Sequence, residues 1–197
     1  MGRFLEGHEG VVKVLLDQEG VNPNGEGTPL SNSPLAWAAS RGHAGIIKIL
    51  LEREDVNPNQ VSFTLGDAPL LVAVRLGNEG IVKILLERED TDPNLADTRS
   101  QTPLLHAAKY GYEGIVKMLL ERNDTRTDIR DMWNQTPLSV ALSKGHHKIA
   151  RMISERAGTM SNTADPISQA PLPPSAQHGK KRGAETQLSD DRPNKHG

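Results

Sequence analysis

Cysteine is absent from this chain. That excludes disulfides, thiolate zinc sites and a cysteine nucleophile. Aromatic residues are scarce, at 3% of the total. The interior must therefore be filled by Leu, Ile, Val and Ala, as closely stacked helices allow. Neither sign of charge dominates: 23 Lys and Arg stand against 25 Asp and Glu, a net charge of −2. General binding to nucleic acid is not expected from that balance. No apolar run approaches membrane-spanning length. The opening Met1-Gly2-Arg3-Phe4-Leu5-Glu6 has no apolar signal-peptide core. A soluble protein of the cytoplasm or nucleus is expected, and 197 residues suffice for one domain.

What the chain does have is a repeat. The pattern Gly-x-x-Gly, two branched residues, Lys, an apolar residue, Leu-Leu and an acid begins at Gly7, Gly42, Gly77 and Gly111. An altered copy begins at Gly145. The steps are 35, 35, 34 and 34 residues (42−7, 77−42, 111−77, 145−111). A second signal runs in phase with it: Ser33-Pro34-Leu35, Ala68-Pro69-Leu70, Thr102-Pro103-Leu104 and Thr136-Pro137-Leu138, each nine residues before the repeat glycine. A constant period near 34 means a stack of similar units rather than one globular core.

One unit can be read in detail. Thr102 suits a helix N-cap and Pro103 the first helical position. Leu104, Ala107 and Ala108 share a face, where small residues let a neighbouring helix approach. Gly111 ends this helix. Gly114 to Glu121 forms a second one, broadly apolar and so expected to be buried on two sides. Lys117 points outward, as do Lys13, Lys48, Lys83 and Arg151, and these read as a solvated face. Turns such as Asp55-Val56-Asn57-Pro58-Asn59 close each unit.

These residues resemble ankyrin repeats, whose signature is Thr-Pro-Leu-His-x-Ala, then Gly-His, then a Val-Val-Lys-Leu-Leu-Leu-like helix. The resemblance covers residues 3–156. It implies an all-α solenoid of helix-turn-helix repeats with β-turn fingers, followed here by a disordered C-terminal tail. The divisions are a partial first repeat at 1–25, full repeats at 26–60, 61–94 and 95–128, a capping repeat at 129–156 and the tail at 157–197. The signature histidine is replaced by Trp37, Val72 and Val140; only His106 is a histidine, one place late, so its usual bonds to the turn are not expected. The spelling from Glu52 to Asn59 is similar to the ankyrin arrays of filamentous fungi, which often form the sensor half of large nucleotide-binding receptors. No Gly-x-x-x-x-Gly-Lys-Ser/Thr loop accompanies it.

The ends differ. Most of the first helix of the first repeat is missing, leaving Val11, Val12, Val14 and Leu15 under-covered, as a frayed cap or as the edge of a longer array. At the other end Ser154 stands where Leu51, Leu86 and Leu120 stand, Ala150 replaces a larger residue, and Lys148 replaces glycine. That reads as a polar, closed end. The tail is rich in Ser, Pro, Gln, Asn and Gly and cannot bury enough apolar surface to fold. Lys180, Lys181 and Arg182 form a candidate nuclear-import signal, with a solvated charge cluster as the simpler reading.

No constellation for catalysis emerges. His8 and His43 occupy the Gly-His turns, where the ring is expected to bond backbone. His146 and His147 are adjacent and diverge on a helix. Neither a nucleophile elbow nor a dinucleotide fingerprint is present. The expectation is a non-enzyme with no cofactor and no metal.

Function is expected on the variable positions that the resemblance marks for partner contact. At the turn tips these are Leu30, Leu65, Arg99, Met132 and Trp133. At the helix ends they are Arg41, Arg75, Lys109, Tyr110 and Lys144. The basic members read as a row along the groove, with Tyr110, Met132 and Trp133 as an aromatic and thioether cluster. The expected partner is a protein, bound by a monomeric scaffold, with neither nucleic acid nor membrane involved. The alternative is a recognition or regulatory fragment of a fungal receptor-like or pathway-associated protein.

Overall fold

The computed structural model describes residues 8–18, 20–25, 33–61 and 67–161, with side chains through residue 158. Nine α-helices and no strand occur among these residues. A lone helix, α1 (Glu9–Leu16), comes first. Four pairs follow: α2 (Pro34–Arg41) with α3 (Ala44–Leu51), α4 (Pro69–Arg75) with α5 (Glu79–Leu86), α6 (Pro103–Tyr110) with α7 (Glu113–Glu121), and α8 (Pro137–Ser143) with α9 (His147–Ser161). The first helix of each pair is termed inner and the second outer. Inner helices α2, α4, α6 and α8 lie side by side in chain order, as do outer helices α1, α3, α5, α7 and α9. Each inner helix also packs on the outer helix of its own pair. The all-α stack is the expected one.

Local chemistry starts and stops the helices. The side-chain oxygens of Ser33, Thr102 and Thr136 accept the N–H groups of Ala36, Leu105 and Ser139 at 3.0, 3.2 and 3.2 Å. The following proline has no N–H to satisfy. Gly42 and Gly111 end α2 and α6 in the left-handed region, at φ 76° and 80°. At Gly111 a β-carbon would also come within 2.8 Å of the His146 ring of the next repeat. Glycine there answers both backbone strain and a close approach.

Two histidine expectations need correction. Aligned on the prolines, Trp37, Val72, His106 and Val140 share one position, and the signature histidine falls one residue earlier, at Ala36, Leu71, Leu105 and Ser139. Only Ser139 bonds back there, its Oγ accepting the Thr136 N–H at 2.9 Å. The other three are buried apolar side chains that cannot. At the Gly-His turns, neither His8 nor His43 caps its helix with the ring. The His43 ring lies instead against Trp37, with centres 5.6 Å apart, and its buried Nδ1 has no partner among the described residues.

The core sits between the two helical layers. Ala38, Ala73, Ala107 and Ala141 are fully buried at equivalent places, and Leu50, Leu85 and Leu119 close the outer layer over them. Lys13, Lys48, Lys83, Lys117 and Arg151 are all exposed. An acid follows each of them four residues on, and the Arg151 Nε donates to Glu155 at 2.8 Å. This is a solvated, charge-balanced face.

A polar ladder, not expected from the turns, ties successive repeats together. The Arg88 guanidinium donates to the carbonyls of Leu51 and Arg53 in the preceding repeat, at 3.2 and 3.0 Å, while pairing with its own Asp90. Arg122 does the same to Leu86 and Arg88, at 3.3 and 3.0 Å, while pairing with Asp124. Arg53 reaches Leu16 at 2.6 Å. Leu16, Leu51 and Leu86 are the last residues of α1, α3 and α5, whose carbonyls a helix leaves unsatisfied. Hydrogen bonds from the arginines hold the Asp90 and Asp124 carboxyls below the usual carboxylate range. Asparagines grip in the opposite direction. The Asn59 Nδ2 donates to the Asp90 carbonyl at 2.7 Å, and its Oδ1 accepts the Asp92 N–H at 2.8 Å. Asn24 and Asn94 repeat both bonds one repeat earlier and one later.

The two ends behave unequally. Val11, Val14 and Leu15 are exposed, as expected. Ser154 is exposed on α9, but Leu142 on α8 is exposed too, where the equivalent Ala39, Val74 and Ala108 are fully buried. The C-terminal end is thus polar on its outer helix and apolar on its inner one. Helix α9 also runs on to Ser161, past the expected boundary at Arg156. The remaining tail, including Lys180, Lys181 and Arg182, lies outside the described residues, as do Leu30 and Leu65.

Candidate partner-binding face

The fingers before α6 and α8 share one construction. The Asp97 Oδ1 accepts the N–H groups of Arg99 and Gln101, both at 2.8 Å. The Asp131 Oδ1 accepts those of Trp133 and Gln135, at 3.0 and 2.8 Å. Ser100 and Asn134 turn the tips with positive φ, at 59° and 62°. A short polar residue tolerates that conformation best after glycine. The Met132 N–H donates to the Arg99 carbonyl at 3.1 Å, so one finger is pinned to the next. The Gln101 Nε2 adds a bond to the Asp131 Oδ2 at 3.3 Å.

His106 braces the first of these fingers from below. Its Nε2 lies 3.2 Å from the Asp97 Oδ2. A carboxylate only accepts, so the Nε2 carries the proton. The Nδ1 is buried and has no partner among the described residues. Burial lowers the His106 pKa, outweighing the pull of Asp97, and the Arg75 and Lys109 charges push the same way. Burial alone would raise the Asp97 carboxyl. The N–H of Gln101, His106 and the N–H of Arg99 together hold it below its ordinary value instead.

The expected contact residues fall into distinct environments. Arg75 pairs with the buried carboxylate of Asp67. Arg41 is exposed and its guanidinium carbon lies 5.8 Å from the centre of the Trp37 ring. The Lys109 ammonium lies 5.7 Å from the Tyr110 ring centre. Tyr110 stacks between His106 and Tyr112, at 6.1 and 5.8 Å. Met132, Trp133 and Lys144 are exposed. No described acidic residue pairs with Arg99, Lys109 or Lys144.

The basic row does not form as one line. Arg41 and Lys144 take the position just before the glycine, which Leu76 and Tyr110 take in the middle repeats. Arg75 and Lys109 take the position before that, alongside Ser40 and Ser143. Neighbouring helical positions point about 100° apart. The charges are therefore divided between two rows, and Arg75 is neutralised.

Sequence reasoning missed Asp97 and Asp131, whose carboxylates accept the finger N–H groups and so build the face. The recurrence of Asp at 97 and 131, each four residues before Gln-Thr-Pro-Leu, was the available signal. Among the described residues no three His, Asp or Glu side chains converge as a metal site would require. No described helix is long and apolar enough to cross a membrane.

The paired helices, in-phase caps and finger turns define a repeat solenoid. The profile for ankyrin repeats (3 copies) matches residues 4–97 and again 70–165. The chain belongs to the ankyrin repeat family. No curated protein matches it in sequence. Ankyrin repeats commonly mediate protein–protein interaction, and proteins built from them are generally non-enzymatic scaffolds.

Proposed function

We propose that this chain is a non-catalytic scaffold that holds an acidic, partly apolar segment of a protein partner. The segment lies on the concave face of fingers and inner helices, centred on Arg99, Lys109, Tyr110, Met132, Trp133 and Lys144. One observation carries this reading. The acids on that face are already engaged, Asp97 and Asp131 by finger N–H groups and Asp67 by Arg75. The cations Arg99, Lys109 and Lys144 are left without a described acidic partner beside exposed aromatic and thioether surface. Arg, Tyr and Trp dominate interface hot spots, and cations at the rim speed encounter with an acidic partner. Arg41 extends the face toward the first repeats. The absence of cysteine suits a cytoplasmic or nuclear setting.

Affinity capture from the native cell, with mass spectrometry to identify the partner, tests the reading. The combined Trp133→Ala and Lys109→Glu chain should lose the captured protein while its helical circular dichroism stays unchanged. Capture should also weaken as ionic strength rises. Undiminished capture by the double variant would remove this face from consideration.

A further inference from the structure

Gly42, Gly77, Gly111 and Gly145 are preceded by Arg41, Leu76, Tyr110 and Lys144, each at the C-terminal end of an inner helix. Helices α2, α4, α6 and α8 lie side by side, so these equivalent residues form one row across the stack. All four are exposed, and the middle two are large apolar side chains, Leu76 at 58% and Tyr110 at 50%. No described acidic residue pairs with Arg41 or Lys144. The cations of the middle repeats stand one position earlier, outside the row. There Asp67 neutralises Arg75, and the Lys109 ammonium lies 5.7 Å from the centre of the Tyr110 ring. Along the stack the row thus runs cation, apolar, apolar, cation.

We propose that this row binds a polyproline II segment of a partner protein with the pattern acid-x-x-apolar-x-x-apolar-x-x-acid. The pattern rests on the scaffold reading above and fixes where in the segment the acids fall. Charge complementarity sets the order. Carboxylates at the two ends meet Arg41 and Lys144, while a carboxylate in the middle would be pressed onto Leu76 and Tyr110 and lose water without gaining a partner. The step of the stack sets the conformation. Packed helices lie about 8–10 Å apart, so three steps set Arg41 and Lys144 about 24–30 Å apart. A polyproline II chain has three residues per turn and rises about 3.1 Å per residue, hence about 9.3 Å per turn. Every third side chain then falls on one side, one to each repeat, and three turns span the row. Same-side residues recur about every 5.4 Å along an α-helix and about every 6.6 Å along a strand, neither of which gives one contact per repeat. A polyproline II segment is also ordered before it docks, so it loses little entropy on binding.

The probe is a fluorescein-labelled peptide, Glu-Pro-Pro-Leu-Pro-Pro-Leu-Pro-Pro-Glu with an amidated C-terminus. Its anisotropy should show saturable binding to the full-length chain. The isomeric peptide with Glu and Leu exchanged should bind at least about tenfold more weakly, because its acids face the apolar pair. A chain carrying Arg41→Glu and Lys144→Glu should reverse the preference at the ends and bind the peptide with Lys in place of Glu more tightly than the original. Both positions are exposed, so that chain should keep its helical circular dichroism. No saturable binding, equal binding of the two isomers, or an end preference that the reversed chain retains overturns the proposal. So does a peptide with Ala for every Pro that binds more tightly and gains helical circular dichroism, which would give the row to a helix. Trp133 and Lys109 lie outside the row, so the capture experiment reads out separately. Loss of the captured protein from the Trp133→Ala and Lys109→Glu chain, with no discrimination between the isomers, would overturn this order of charges and leave the scaffold reading standing.

Discussion

Helices α1 and α5 have nearly the same sequence, Glu-Gly-Val-Val-Lys-Val-Leu-Leu against Glu-Gly-Ile-Val-Lys-Ile-Leu-Leu. Their fates differ. Ile81 and Leu85 of α5 are closed off on all sides, while Val11 and Leu15 of α1 lie open to solvent. An amphipathic pattern states what a helix can bury, and neighbours decide what it does bury. In a solenoid each repeat contacts only those beside it, so a helix with a neighbour on one side alone is exposed whatever its spelling.

The largest effect that separates the two regions should come from truncating equivalent leucines. Leu85→Ala should cost about 2–5 kcal/mol, as other buried leucines do. Leu15→Ala should stay within about 0.5 kcal/mol, as exposed positions do. Urea unfolding of the two variants measures this, and equal costs would break the comparison. Next comes the ladder. Arg88→Met strips charge-assisted bonds from three carbonyls of the preceding repeat, those of Leu51, Arg53 and Val56, and leaves Asp90 unpaired, a loss of about 1.5–3 kcal/mol. Arg53→Met also leaves its Asp55 unpaired but strips one carbonyl of the preceding repeat among the described residues, that of Leu16, and should shift the urea midpoint less. Asn59→Ala removes two neutral bonds, about 1 kcal/mol each at most. Its effect should appear as faster amide exchange in the turns around Asp90 and Asp92.

The smallest effect is one of pH, confined to the middle of the stack. The His106 pKa is lowered on folding from an ordinary 6.5. Below pH 6.5 the unfolded chain therefore takes up the proton first, and the fold loses stability as pH falls toward the lowered folded value. Above 6.5 the ring is neutral in both states and contributes no slope. His106→Gln should flatten that part of a stability–pH curve. Asp90, Asp97 and Asp124 act at lower pH. Their folded pKa values lie below an ordinary 3.8, so their stabilisation is present above 3.8 and lost as pH falls through the folded values. A slope below pH 6.5 that survives His106→Gln would move the titration to another group.

Much of the stack was legible because helix signals are local. Thr102, Pro103 and Gly111 each declare a start or a stop through their own backbone preferences, and the period repeats the statement. The outward lysines were legible for the same reason. The ladder was not. Arg88 and Asn59 look like ordinary turn residues until the next repeat is laid against them, about 35 residues away in sequence. The candidate face was half legible. Tyr110, Met132 and Trp133 stand out by residue type and are exposed. The basic row failed because single-residue helical phase separates Arg41 and Lys144 from Arg75 and Lys109. Asp67, buried beside Arg75, could not be told from a surface acid.

By itself, then, the sequence determined the unit, its period and its caps, since those depend on dihedral preference and hydrophobic spacing within one repeat. Only the stacked structure decided which equivalent residues are closed or open and which cations are neutralised. Those are properties of neighbours. A residue such as Leu15 carries the same chemistry as Leu85, and only the presence of an adjoining helix tells them apart.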